Sequence, residues 1–350
     1  MNRLARYVAW TVLSAIVGVL LALLALDLLF SFLAELDSLS AQYHMKDALL
    51  QVMLHIPGTV YEMIPVACLI GVLTGLGILS SHSELTVMRA AGLSPLRIVL
   101  YTFIPAVFFA AACLVLAQWV VPVAERRAQA LKSLALGEHV VSGYWHREGN
   151  QFVHVVAVRS QQQLQGVDFY SYNPQDVLIS VGHAQTARFN DGVWQLNDWQ
   201  ESQVAASMRV SSRQLTQALW TTRLTPEFLQ MAAVEPELQS PSQLYAYSHY
   251  LQRQGLESAS WQLEFWKKMM QPLATLVMVL LAATMLFGPL RSVTMGLRLI
   301  SGVFVGLGFR YGQDFFGFAS LIYHFSTFWG AALPGMLALC AGMVFMLRVR

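Results

Sequence analysis

Arg310 and Asp314 stand four residues apart inside an apolar run from about Val293 to Phe318. On a helix that spacing puts a guanidinium and a carboxylate on one face, where they can pair. A charge at mid-membrane costs about 2.5–3.5 kcal/mol on insertion scales, so neither group should face lipid. Mutual pairing or a wet cavity would relieve that cost. Asp27 and Glu62, inside two other apolar runs, present the same choice. The run around Arg310 also carries Gly302, Gly306, Gly308 and Gly312, two Gly-x-x-x-Gly steps that allow close helix contact or sliding.

A second set of residues suits docking rather than ion pairing. The segment from Ser81 to Gly92 is polar, short and punctuated at both ends. Ser81 and Glu84 match a capping box, Gly92 suits the position just past a helix, and Ser94-Pro95 caps the next one. This predicts a helix of about 15 Å lying along the membrane surface. Glu84, Val87, Met88 and Ala91 share one face, with one carboxylate among apolar groups, a pattern that fits a groove on a partner. The plainer reading is that Glu84 only completes the cap.

Five cations form a third set. Arg126, Arg127 and Lys132 follow one apolar run, and Lys267 and Lys268 precede another. At a membrane surface they could hold lipid phosphates through charge-assisted hydrogen bonds, or could simply be helix-end side chains reaching for water.

Several chemistries have no support. There is no Gly-x-x-x-x-Gly-Lys-Ser/Thr run, so the phosphate-cradling loop of many ATPases is missing and any ATP must be hydrolysed by a partner. There is no His-Glu-x-x-His, and His139, His146 and His154 read as ordinary strand and turn residues. No Gly-x-Ser-x-Gly elbow sits beside acid and histidine partners. Cys68, Cys113 and Cys340 lie in apolar runs, giving neither a disulfide framework nor a zinc spacing.

The elements that must position these groups follow from composition. Of 350 residues, 12% are charged and 56% hydrophobic, against about 25% and 45–50% in soluble proteins. A net charge of +2, dispersed along the chain, excludes a nucleic-acid binder. Charges number 11 in residues 1–122, 23 in 123–264 and 8 in 265–350, so two membrane blocks flank a polar domain. Runs at about Val8 to Leu33, Val52 to Leu79, Leu96 to Val121, Met269 to Phe287, Val293 to Phe318 and Phe325 to Leu347 each approach or exceed the roughly 20 residues of a spanning helix. Six transmembrane helices are expected. The first run, although preceded by Arg3 and Arg6, has about 26 residues where a signal peptide core has about 7–15, and reads as a permanent helix.

Orientation follows from the basic residues near the span ends. Arg3, Arg6, Arg89, Arg97, Arg291, Arg298, Arg348 and Arg350 collect on one side, and the short loops opposite offer only Lys46. Both termini are then cytoplasmic and the polar domain lies outside, where a long translocated segment tolerates Arg126, Arg127 or Arg223.

That domain reads as β-structure. Gln151 to Val158, Gly166 to Tyr172, Val177 to Phe189 and Val193 to Trp199 mix β-branched, aromatic and polar residues. Turn signals separate them at Arg147-Glu148-Gly149-Asn150, Asn173-Pro174 and Asn190-Asp191-Gly192, fitting an antiparallel sandwich or jelly roll. Ser240-Pro241 then opens a helix with Leu244, Tyr247 and Leu251, closed by Gly255, and a second helix from about Glu257 runs into the fourth span.

Several of these segments together resemble a known family. Ser83-Glu84-Leu85-Thr86-Val87-Met88-Arg89-Ala90-Ala91-Gly92 resembles the coupling segment of the LptF/LptG permeases, and Gln118-Trp119-Val120-Val121-Pro122 the exit of their third helix. Residues Trp261 to Leu273 are similar to the entry of their fourth, and Phe287-Gly288-Pro289-Leu290-Arg291-Ser292-Val293 to a loop that marks one branch of the family. The matches fall in the family's order and cover the whole chain.

The resemblance implies a membrane α-helical fold of six transmembrane helices with an inserted extracytoplasmic all-β jelly-roll domain. It divides the chain into helices 1–3 with a coupling helix at 81–92 (1–122), the periplasmic domain (123–264) and helices 4–6 (265–350). It implies the permease subunit of an ATP-driven exporter of lipopolysaccharide, paired with an LptF-type paralogue, served by two copies of the LptB ATPase and joined by LptC. ATP and magnesium would bind the ATPase, with no cofactor on this chain. Glu84, with Val87, Met88 and Ala91, would contact the ATPase; Lys132, with Arg126, Arg127, Lys267 and Lys268, would lie near the lipid head group. Asp27, Phe32, Gly302, Gly306, Arg310 and Asp314 would line the cavity or its gate. Ser31 precedes Phe32 where a family member has lysine, so no phosphate contact carries over to the first helix. From the residues alone, an ion-coupled transporter using Arg310, Asp314, Asp27 and Glu62, or a membrane scaffold, remains open.

Overall fold

The computed structural model describes every residue except 1–2, 38, 40–42, 137–143, 161–162, 174, 176, 191, 205–209, 223–234, 254–256, 288–292 and 349–350. Two long helices come first, α1 (Arg3–Leu36) and α2 (Met45–Ser81), then a helix of about two turns, α3 (Glu84–Ala90). Next come α4 (Pro95–Val115) and, after a π-turn at Leu116–Val120, its continuation α5 (Val121–Leu136). Strands β1 (Tyr144–Glu148), β2 (Gln151–Ser160), β3 (Gln163–Tyr172), β4 (Leu178–Asn190), β5 (Val193–Val204) and β6 (Val210–Trp220) follow. A 3-10 turn at Pro236–Leu238 leads to α6 (Pro241–Arg253), α7 (Ala259–Phe287), α8 (Met295–Ile322) and α9 (Thr327–Arg348).

Among the described residues five helices are long and apolar enough to cross a membrane: Arg3–Leu36, Met45–Ser81, Pro95–Lys132, Ala259–Phe287 and Thr327–Leu347. The sixth expected span, α8, has ample length at 28 residues, but Arg298, Arg310 and Asp314 interrupt its apolar character. Those charges find partners within the helical bundle, which is how such a helix can sit beside the other five.

The chain divides into two compact units, one of residues 1–39, 48–128 and 236–350, the other of residues 40–47 and 129–235. In the helical unit α2 is the most buried of the apolar helices among the described residues. It spans 37 residues, about 55 Å, and keeps small residues where neighbours press close. A Cβ added at Gly71 would meet the Ile16 backbone of α1 at 2.5 Å, and one at Gly75 would meet Val12 Cα at 3.0 Å. On its other side α8 approaches through Gly302, where a Cβ would meet Leu73 at 2.9 Å, and Gly306, where it would meet Val66 at 2.8 Å. Gly308 and Gly312 face open space, so only the first Gly-x-x-x-Gly step makes a tight helix contact. Val12, Ile16, Leu69, Leu73 and Leu76 fill the seams completely.

The π-turn lies just before a proline: Pro122 has no N–H, so the carbonyl of Gln118 lacks its usual donor, and the Val121 N–H donates to Leu116 O, one residue further back than the α-helical acceptor. Gln118 then spends its side chain outside the helix: its Nε2 donates to Ser242 Oγ at 2.7 Å, and Ser242 N donates to its Oε1 at 3.4 Å, at the start of α6. Ser240 and Gln243 complete that start reciprocally, since Ser240 N donates to Gln243 Oε1 at 3.1 Å and Gln243 N to Ser240 Oγ at 3.4 Å. α6 ends at Arg253, and the expected closing residue, Gly255, lies outside the described residues.

The other unit carries the expected all-β insertion. Its described strands form one six-stranded antiparallel sheet in sequence order β1-β2-β3-β4-β5-β6. Alternation puts Val153, Val155, Val167, Phe169 and Ala184 on a buried face. Phe169 meets Trp199 and Trp220 edge-on, at 5.1 and 5.0 Å between ring centres. Gly182 carries no side chain because the Trp199 ring covers it. The expected turns fall between paired strands: Gly149-Asn150 joins β1 to β2, and Gly192 takes the positive φ its turn requires. Asn173 Oδ1 accepts from the N–H groups of Gln175 and Val177. Crossovers of the jelly-roll kind are absent among the described strands, which form a meander.

Candidate functional site

Two polar features lie at opposite ends of α2. At the end marked by Ser81, α3 is the short helix expected from the sequence, but its cap differs. Ser81 stays in α2 with its hydroxyl donating to Ile78 O, and the N-cap position falls to Ser83, which adopts a left-handed φ of 60° and makes no side-chain cap. The expected Ser81–Glu84 capping box is therefore absent: α2 runs on for the residue that was to cap α3. The other end is as expected. Gly92 has φ +88°, its N–H donates to Arg89 O at 3.0 Å, and Leu93 N–H donates to Met88 O at 3.1 Å, the paired bonds of a Schellman motif. Ser94 Oγ accepts from Arg97 N at 3.4 Å and Pro95 opens α4.

α3 is seated by its apolar side. Leu85 and Met88 are buried in the same core cluster as Leu76, Leu79 and Ile98. Met88 is thus removed from the expected docking face, because helical spacing places it with Glu84 while packing pulls it inward. Val87 (66% exposed) and Ala91 face outward, with Glu84 partly covered at the edge. Glu84 lies 3.9 Å from His82 Nδ1 and also faces the Tyr7 hydroxyl of α1.

Toward the other end, a polar cavity of about 380 Å³ opens among α2, α5, α7, α8 and the 3-10 turn. Arg310 organises one wall. Its Nη2 donates to Glu62 Oε2 at 2.9 Å, and its Nε lies 3.8 Å from Asp314 Oδ2. The expected i, i+4 pair exists but is the weaker half of a three-group cluster, whose shorter bond crosses from α8 to α2. On another wall His55 Nδ1 lies 2.7 Å from Glu125 Oε2, tying α2 to α5. Gly58 makes room for that contact, since a Cβ there would meet Glu125 Oε1 at 2.6 Å. Gln271 Nε2 donates to the Tyr61 carbonyl at 3.3 Å, in a helix that holds Pro57 and Pro65.

The basic set divides sharply. Lys268 is buried and donates to two carbonyls, Glu237 O and Gln239 O, each at 2.6 Å. Its ammonium fastens the 3-10 turn to α7 and is withdrawn from the expected lipid-binding set. Lys267 pairs with Glu264 at 2.8 Å beside the cavity. Arg126 is exposed, with Nε donating to Pro122 O at 2.8 Å, which satisfies a carbonyl at the start of α5. Arg127 is exposed, and Lys132 is half-buried and belongs to the other compact unit.

Asp27 accepts from Thr59 Oγ1 at 3.3 Å and Ser31 Oγ at 3.5 Å, so it links α1 to α2 rather than meeting a cation. Phe32 is partly buried on the same helix. The five carboxylates of the cavity, Glu62, Glu125, Glu237, Glu264 and Asp314, face Arg310, Lys267 and Lys268. Such a lining can hold water and exchange ion pairs as helices move. Among the described residues no three His, Cys, Asp or Glu side chains are placed to hold a metal ion. His55, Glu125, Glu264 and Gln271 join the site with no sequence signal beyond the i, i+3 spacing of Glu264 and Lys267.

The chain is similar to proteins of known role along nearly its whole length. The family described as "Lipopolysaccharide export system permease LptF/LptG" matches residues 6–348. A protein of Escherichia coli strain K12 named lipopolysaccharide export system permease protein LptG is 33% identical over 336 residues, covering 94% of this chain and 93% of that protein. The protein of the same name from Haemophilus influenzae is 32% identical over 346 residues, with 96% of each covered.

Proposed function

The chain belongs to the LptF/LptG family of lipopolysaccharide export system permeases, and from that premise we propose a division of labour between a passive conduit and an external motor. It is a permease subunit of the lipopolysaccharide export system and a multi-pass inner-membrane protein. In the proposed arrangement both termini and α3 are cytoplasmic and the β-sheet unit is periplasmic. An LptF-type paralogue faces this chain across the lipid cavity, two copies of the LptB ATPase lie beneath, and LptC attaches above. ATP and magnesium bind the ATPase alone; closure of its two copies pushes α3, narrows the cavity and drives the lipid upward.

The observation that carries this reading is the seating of α3. A helix anchored by Leu85 and Met88 and presenting Glu84, Val87 and Ala91 moves with the core it is embedded in, so a push on its open face reaches α2 and α4. Glu84 is the proposed acidic contact to the ATPase. Replacing it with alanine is expected to lower both co-purification with the ATPase and ATP-dependent lipid release; unchanged values for both would remove it from the mechanism.

Arg126, Arg127 and Lys132 are the proposed contacts to lipid phosphates, with Lys267 available only if Glu264 releases it. Reversing charge at Arg126 and Arg127 together, or at Lys132, is expected to weaken photocrosslinking to lipid without loss of assembly. Asp27, Phe32, Gly302, Gly306, Arg310 and Asp314 are assigned to the cavity wall and gate, where α8 slides on α2 and Glu62 and Asp314 offer Arg310 alternative partners.

A further inference from the structure

A second concavity, of about 680 Å³, lies on the outside of the helical bundle between α1 and α4. Its lining carries no carboxylate, unlike that of the polar cavity. Its walls are apolar, formed by Trp10, Ile104, Pro105 and Phe108, and two guanidinium groups, Arg3 and Arg6, stand at one end. Trp10 is 71% and Phe108 64% exposed, so neither ring packs into the core of this chain. The basic end lies on the same side of the bundle as α3, because Tyr7 of α1 faces Glu84.

We propose that this groove is a binding site for an anionic glycerophospholipid from the leaflet on the α3 side. Three observations converge on that occupant. The volume lies within the roughly 300–1,000 Å³ of ligand sites. Arg3 and Arg6, one turn apart on the first turns of α1, present forked donors suited to a phosphodiester, and the amino-terminal end of the helix adds positive potential. Below them Trp10 stands one turn further on, an amphipathic ring at the depth where head group gives way to chain, and Ile104 and Phe108 line the path an acyl chain would take. A transmembrane helix of a partner protein would cover the apolar part and leave two guanidinium groups without a counter-charge. Inorganic phosphate would meet the arginines and leave the apolar walls bare. A lipid with a net negative head group satisfies both ends at once.

The groove is distinct from the polar cavity around Arg310. It shares no lining residue with the polar cavity and opens on the opposite end of the bundle from Lys267 and Arg310. A lipid held there would steady α1, the long helix with the least burial, against α4.

The test is native mass spectrometry of the full-length chain in detergent, titrated with phosphatidylglycerol or phosphatidylcholine of matched acyl chains. Phosphatidylglycerol is expected to be retained preferentially. At about 1 kcal/mol per basic residue near a head group, Arg3→Gln with Arg6→Gln should weaken that retention by about thirtyfold. Arg3→Lys with Arg6→Lys should keep most of it, since charge is preserved. Ile104→Trp, which fills the groove and leaves both arginines, should also weaken retention. Phosphatidylglycerol with brominated chains should quench a fluorescence component that Trp10→Phe removes. Equal retention of the two lipids, no effect of the double Gln variant, or retention untouched by Ile104→Trp but abolished by millimolar phosphate would each overturn the proposal.

Discussion

The two ends of α2 are built on opposite principles. At the α3 end the seat is apolar and main-chain: Leu85 and Met88 sink into the core, and a Schellman motif closes the helix. At the cavity end the contacts are ionic and partly wet, with Arg310 shared between Glu62 and Asp314 and His55 set against Glu125. Packed apolar seats resist small displacements and carry them onward as a rigid body, whereas ion pairs in a polar cavity can change partners at small cost. The same helix therefore has one end suited to receiving a push and another suited to rearranging under it.

The sharpest way to break this contrast is at the seat. Met88→Ala should cost about 2–5 kcal/mol, since the cavity it leaves lies in a packed core, and should lower thermal stability and lipid release together. Loss of release with unchanged stability would mean that the seat is a contact surface instead. Lys268→Met should cost about 2–3 kcal/mol by leaving the Glu237 and Gln239 carbonyls without their shared donor, and a hydrogen-exchange experiment should locate the loosening at residues 236–239. Gly92→Ala should cost about 1 kcal/mol because φ +88° strains any side chain, with the melting temperature as readout. The smallest effect is expected at the cavity. A double-mutant cycle of Glu62→Gln and Arg310→Gln should give a coupling of about 0.5–1 kcal/mol, modest because both side chains are about half exposed. A coupling of several kcal/mol would make the cavity as rigid as the seat and erase the distinction.

Long apolar runs and alternating strands carry their own address, so α1, α2, α4, α7 and α9 and strands β2 to β5 follow from local pattern. Strands β1 and β6 escaped because their segments alternate less clearly than the four between them. The fate of Met88 shows a limit of helical spacing: periodicity groups residues on a face but does not say which face the core occupies. Capping shows another. Ser81 fits the rule and stays within α2, while Ser240 and Gln243 form the reciprocal cap that Ser81 and Glu84 do not. The polar cavity was the least legible part, because Glu62–Arg310 and His55–Glu125 join residues distant in the chain, and nothing local marks either partner. Arg310 was recognisable as a charge in need of relief, but its neighbour at i+4 hid the stronger partner across the helix interface.

The wide turn at Leu116–Val120 sets the azimuth of everything that follows it on the same rod. One residue advances an α-helix by about 100°, so excising a single position there and letting ordinary winding resume would swing Glu125 about that far around the axis, away from His55. Gln118 would leave the serine it clasps on α6 by the same rotation. A five-residue irregularity thus works as an indexing notch, fixing which way the upper half of the third long helix looks.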